Sequence, residues 1–140
     1  MNLRLVIAID PGTDKCGVAV VDREQGCLHR SVENAANIVD VLRALAERHP
    51  GARLVIGDRT GSQVFVQRLR EAGITEKLGE PTFVDEHRSS EEARRLYLLQ
   101  NRKGWRKWVP LGLQTPDVPI DDYVAEVLAR RYFATAAEGE

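Results

Sequence analysis

Leu3-Arg4-Leu5-Val6-Ile7-Ala8-Ile9-Asp10-Pro11-Gly12-Thr13-Asp14, followed closely by Gly17-Val18-Ala19-Val20-Val21-Asp22, decides how this chain folds. Residues 3 to 9 are an almost unbroken apolar run, the pattern of a central strand buried on both faces. Pro11-Gly12-Thr13-Asp14 reads as a turn. Residues 17 to 22 make a second strand, Gln25-Gly26 a second turn, and residues 28 to 32 a third strand. The three strands form an antiparallel meander. A turn centred on residues 23 to 26 pairs Cys16 near Glu33 rather than with Cys27. Both cysteines therefore read as reduced packing residues, with no C-x-x-C or histidine partner to suggest zinc.

The pattern then changes period. Ile38, Val39, Val41, Leu42, Leu45 and Ala46 form one helical face, stopped by His49-Pro50-Gly51. Residues 53 to 57 are a fourth strand. Thr60-Gly61-Ser62 opens a second helix carrying Val64, Phe65, Leu69 and Ala72, closed by Gly73. Residues 82 to 84 are a short fifth strand. Ser89-Ser90-Glu91-Glu92 supplies hydroxyls and acids for the start of a helix reaching about Asn101. Residues 102 to 119 are irregular but rich in large apolar groups, which predicts a packed loop. A last helix begins at Asp121 or Asp122, and residues 134 to 140 read as a frayed tail. The first and fourth strands are expected to lie side by side and parallel at the sheet centre. The fold class is α/β: a ribonuclease H-like, mixed five-stranded sheet, its first three strands antiparallel, flanked by helices on both faces.

The 140 residues suit a single domain with a sizeable core. No apolar run approaches membrane-spanning length, and the first ten residues look like a strand and not a secretory signal. A cytoplasmic protein is expected. The net charge of -1 argues for no particular partner, but its distribution does. Arg94, Arg95, Arg102, Lys103, Arg106 and Lys107 fall in one acid-free stretch with Tyr97 and Trp105, and Trp108 follows. Cations among aromatic rings suit a phosphate backbone with exposed bases. The plainer alternative is a solvated helix face followed by tryptophans that anchor a core.

Three acidic segments carry the chemistry. Asp10 ends the first strand, Asp85-Glu86 ends the fifth, and Asp121-Asp122 starts the last helix. Carboxylates brought together at one sheet rim repel unless a cation lies between them. Oxygen-only ligands favour hard ions, Mg2+ or Mn2+. Such a site cuts phosphodiesters with metal-activated water and needs no serine, cysteine or histidine nucleophile. Each acid also has an ordinary reading. Asp10 would cap its own turn, Glu86 would pair with Arg88, and one of Asp121 and Asp122 would be an N-cap. Asp85 and Glu86 alternate, so one of them faces the site. Asp58, at the end of the fourth strand, is either a further ligand near Asp10 or a turn residue. His87 reads as a partly exposed structural histidine or as a proton shuttle.

The same segments resemble the YqgF/RuvX family of ribonuclease H-like proteins, assigned to Holliday junction resolution and to maturation of the small-subunit ribosomal RNA precursor (pre-16S rRNA). Residues 7 to 20 match its strand, Asp-Pro-Gly-Thr and Gly-Val-Ala-Val motif. Residues 85 to 93 match Asp-Glu-Arg-x-Ser-Thr-x-Glu-Ala, with His87 in place of arginine and Ser90 in place of threonine. Residues 120 to 125 match its Ile-Asp and alanine-containing helix. After the fourth strand, the family's Gly-x-Pro is replaced by Gly57-Asp58-Arg59. The resemblance implies that Asp10, Glu86 and Asp121 are the catalytic metal-binding acids; Asp122, Asp58 and Asp85 stand as secondary candidates from their positions alone. It implies a metal-dependent nuclease acting on branched or single-stranded DNA or on precursor rRNA, and a homodimer if junctions are the substrate. Arg59, Arg88, Arg102, Lys103, Trp105, Arg106 and Lys107 are the expected nucleic-acid contacts. The rival readings are a catalytically degenerate nucleic-acid-binding module and, more distantly, an actin-like phosphotransferase lobe.

Overall fold

The computed structural model describes residues 2–59, 61–101 and 120–138. Strands β1 (Asn2–Asp10), β2 (Lys15–Asp22) and β3 (Gly26–Asn34) are followed by a 3-10 turn (Ala35–Asn37) and α1 (Ile38–Arg48). Then come β4 (Ala52–Gly57), α2 (Ser62–Glu71), α3 (Ile74–Leu78), β5 (Thr82–Val84), α4 (Ser89–Asn101) and α5 (Asp121–Glu138). The sheet order is β3-β2-β1-β4-β5. The meander is antiparallel, whereas β4 runs parallel to both β1 and β5. Cys16 faces Glu33 across the β2–β3 pair, as the turn position requires, and both cysteines are free thiols.

Alternation along β1 splits the core into two layers. Leu5, Ile7 and Ile9 join Val18, Val20, Leu54 and Ile56 beneath α1, α2 and α3. Val6 and Ala8 face the other way, with Ala19, Val21 and Val55, against Ala125, Leu128 and Ala129 of α5. Small side chains at 8, 19, 125 and 129 let the helix lie close to the strands. Each fully buried Ile or Leu in these layers contributes about 1.5–3 kcal/mol. A satellite cluster of Ala93, Tyr123, Val124 and Val127 fastens α4 to α5.

One expectation is corrected and one element is added. Gly73 follows the end of α2 as expected and, at φ +79°, is also the N-cap of α3, whose Ile74 and Leu78 are buried one turn apart. The final helix does not fray from residue 134 but runs to Glu138. Ala-Thr-Ala-Ala continues it because alanine has the highest helix propensity, and Tyr132 and Phe133 just before are held against the second core layer. The expected packed loop of residues 102–119 lies outside the described residues. Among the described residues, no helix is long and apolar enough to cross a membrane.

Candidate metal-binding active site

Asp10 is the last residue of β1 and continues the register of Val6 and Ala8, so it faces the α5 layer. Its neighbours there are glycines. Gly17 lies opposite it on β2, and Gly57 extends the β4 register beside it. Both glycines are required by close approach. A Cβ on residue 17 would fall 1.8 Å from the carbonyl oxygen of Asp121. A Cβ on residue 57 would fall 1.7 Å from Glu86 Oε1. The strand ends are thus hollowed so that the start of α5 and the Glu86 side chain can close on Asp10 from two sides.

Glu86 arrives by the same alternation. Val84 packs on the α5 layer, and Glu86 is two residues further on; Asp85 between them is exposed. Asp85 Oδ1 accepts the His87 amide at 2.9 Å, a turn role, and its carbonyl accepts from Arg131 Nη1 at 2.8 Å. Asp58 Oδ1 accepts the Glu86 amide at 3.1 Å, which pins the backbone that presents Glu86. Glu86 does not pair with Arg88, which is exposed and has φ +58°. Its partner is Arg59, whose Nε donates to Oε2 at 2.7 Å. The same guanidinium lies 3.0 Å from Asp10 Oδ1, an ion pair without hydrogen-bond alignment.

The acids are short of partners even so. Asp10 Oδ1 and Glu86 Oε1 are shut away from solvent with no hydrogen bond among the described residues. Their side chains are only 6% and 9% exposed, against 43% for Arg59. Burial therefore dominates the Asp10 carboxyl and pushes its pKa up to about 7. Arg59 opposes that rise; the charges of Glu86 and Asp121 add to it. Two desolvated carboxylates held around one cation are a donor set for a hard ion. Among the described residues, however, no group of three acids, histidines or cysteines is drawn tightly enough to hold a metal. The arrangement brings Asp10 and Glu86 together, with Asp121 near enough to act on Asp10 electrostatically.

Asp121 and Asp122 part company by helical geometry. Asp121 lies one turn before Ala125, on the stripe that meets the sheet. Asp122 lies one turn before Glu126, and Asp122, Glu126 and Arg130 line a polar cavity of about 480 Å³ with Arg30 and His29. Burial raises the Asp122 pKa there. Glu126 is 1% exposed and held by Arg30 at 2.9 Å and Arg130 at 2.5 Å. Sequence reasoning missed Glu126, although a glutamate among buried helix positions one turn after Asp122 was a readable signal. It also missed Gly17 and Gly57 as parts of the site. Arg102, Lys103, Trp105, Arg106 and Lys107 lie outside the described residues.

No protein-family profile matches the chain, and no curated protein matches it by sequence. A solved structure does: the Thermus thermophilus RuvC structure superposes with a TM-score of 0.62 over 96% of each chain, at 16% identity. The likeness is one of fold, and the fold is ribonuclease H-like.

Proposed function

We propose that this chain is a divalent-metal-dependent nuclease, one domain spanning residues 1–140 and working in the cytoplasm, that hydrolyses phosphodiester bonds as a Holliday junction resolvase or a pre-16S rRNA processing nuclease. The observation that supports this most strongly is the pair of buried carboxylates of Asp10 and Glu86, each with an oxygen that has no hydrogen bond, sharing a single cation, Arg59. In the proposal Asp10 and Glu86 hold Mg2+ or Mn2+, and Asp121 completes the set. The bound ion would supply Lewis-acid stabilisation of the phosphate and lower the pKa of water. Asp58 would act as a positioning residue through the Glu86 amide. Exposed Arg88, together with the basic segment after α4, would contact the backbone of the nucleic acid. Asp85 and Asp122 are left out of the ligand set, because one serves a turn and the other faces the Glu126 cavity.

The test is a cleavage panel over labelled four-way junction DNA, single-stranded DNA and precursor rRNA with Mg2+ and Mn2+. Wild type is expected to cut, and Asp10→Ala is not. Losing several kcal/mol of charge stabilisation lowers the rate by ~10²–10³-fold. Cleavage unchanged in the variant or in excess chelator would refute the proposal. A second reading has its own support: Arg59 already pairs with both acids, as in a nucleic-acid-binding module that has lost catalysis. That module would bind nucleic acid in chelator as tightly as in Mg2+ and cut nothing with either ion.

A further inference from the structure

The guanidinium of Arg59 bridges the two carboxylates that would hold a divalent ion in the metal-site reading. It touches Asp10 Oδ1 at 3.0 Å and Glu86 Oε2 at 2.7 Å. Arg59 supplies one positive charge to two carboxyl groups, so once Asp10 is ionised the trio keeps an uncompensated negative charge. The guanidinium and a hard ion cannot share that space. Arg59 also has somewhere to go. It sits just after β4 and before α2, and its side chain is 43% exposed. It borders a cavity of about 510 Å³ lined by Pro11, Gly12, Thr13, Val64 and Arg68 among others. Among the described residues that line it, none is acidic. The N-cap of α2 there is Gly61, which has no side chain to cap with, so the first amides of the helix add positive character beside the two arginines.

We propose that Arg59 is a built-in cation latch: it holds the Asp10–Glu86 pair until a divalent ion displaces it, and the released guanidinium then joins Arg68 to bind a nucleic-acid phosphate in the adjoining cavity. The inference rests on the metal-site reading above and goes beyond it, because it makes metal entry and phosphate binding two steps of one arginine movement. A site whose open form is a minor population binds its ligand more weakly by that fraction. Removing the latch therefore strengthens metal binding instead of weakening it, opposite to the effect of removing a ligand.

Mn2+ affinity is measured by titration of the whole chain for wild type, Arg59→Ala, Arg59→Lys and Asp10→Asn. Arg59→Ala is expected to bind at least about tenfold more tightly. Arg59→Lys, which keeps the charge but not the planar fork, falls between, and Asp10→Asn loses binding. The lysine variant keeps the comparison open should the alanine variant fail to fold. In wild type, the arginine Nε–H resonances are followed by nuclear magnetic resonance with Mg2+ and then inorganic phosphate. The Arg59 signal is expected to shift on adding Mg2+, and the Arg59 and Arg68 signals to respond to phosphate only after Mg2+. Equal Mn2+ affinity in wild type and Arg59→Ala, or an Arg59 signal unmoved by Mg2+, overturns the latch while leaving the metal site standing. A phosphate response that needs no Mg2+ overturns the coupling. No Mn2+ binding by any variant sinks the metal-site reading and the latch together.

Discussion

Gly17 and Asp121 approach so closely that a Cβ at residue 17 would lie 1.8 Å from the Asp121 carbonyl oxygen and 2.2 Å from its carbonyl carbon. The obstacle is backbone at the start of a packed helix, so it cannot rotate away. Gly17→Ala is expected to lower stability by about 3 kcal/mol, the upper part of the overpacking range. Urea denaturation measures it. A loss under about 0.5 kcal/mol, the ordinary range for a surface substitution, would show that the α5 start is not seated on β2 as described.

Gly57→Ala has a different signature. Its Cβ would meet a side chain, 1.7 Å from Glu86 Oε1, and Glu86 can swing aside. The expected result is a modest stability change, about 1 kcal/mol, with Mn2+ affinity and cleavage both reduced. Retained metal affinity in a folded variant would remove Glu86 from the ligand set.

Asp10 makes the metal-free protein pH-sensitive. Burial raises its pKa from the ordinary 3.8 to about 7, so between those values the native state holds a proton that the unfolded chain has released. Native stability from this residue therefore falls as pH rises from about 4 to 7 and stays lost above. In chelator, Asp10→Asn is expected to raise Tm relative to wild type at pH 8, and the gain shrinks toward pH 4. Mg2+ at pH 8 is expected to raise the wild-type Tm and leave Asp10→Asn unchanged. A stability difference independent of pH would rule out the buried, raised carboxyl.

Glu126, 1% exposed, is the fully buried acid among the described residues of α5, and its role is structural. Arg30 reaches it from β3 and also stacks over the Tyr123 ring at 3.9 Å to the centroid. Glu126→Ala removes the buried partner of Arg30, which keeps Gln100 and the Tyr123 ring, and is expected to cost about 2 kcal/mol. Metal affinity should not change, since the cavity belongs to the Asp122 stripe. Thermal denaturation and Mn2+ titration together check both halves.

The meander, the parallel pairing of β1 with β4 and the position of Asp10 were legible because strand periodicity and turn residues are local signals. The choice between Asp85 and Glu86 was not legible from alternation alone, since a two-residue acidic step at a strand end has no marked face. Only Val84 packing against α5 orients it. The α3 turn escaped notice because five residues give a helical pattern too little room to repeat.

The sequence by itself determined the order of the five strands and the four longer helices and placed an acid at the end of β1, at the end of β5 and at the start of α5, because each depends on residues adjacent in the chain. Tertiary structure alone decided that Arg59 lies between Asp10 and Glu86. It also decided that two glycines open the space for Glu86 and α5. Those contacts join residues 27 to 104 positions apart, and nothing local encodes a distance between side chains that meet only when the sheet and its helices close.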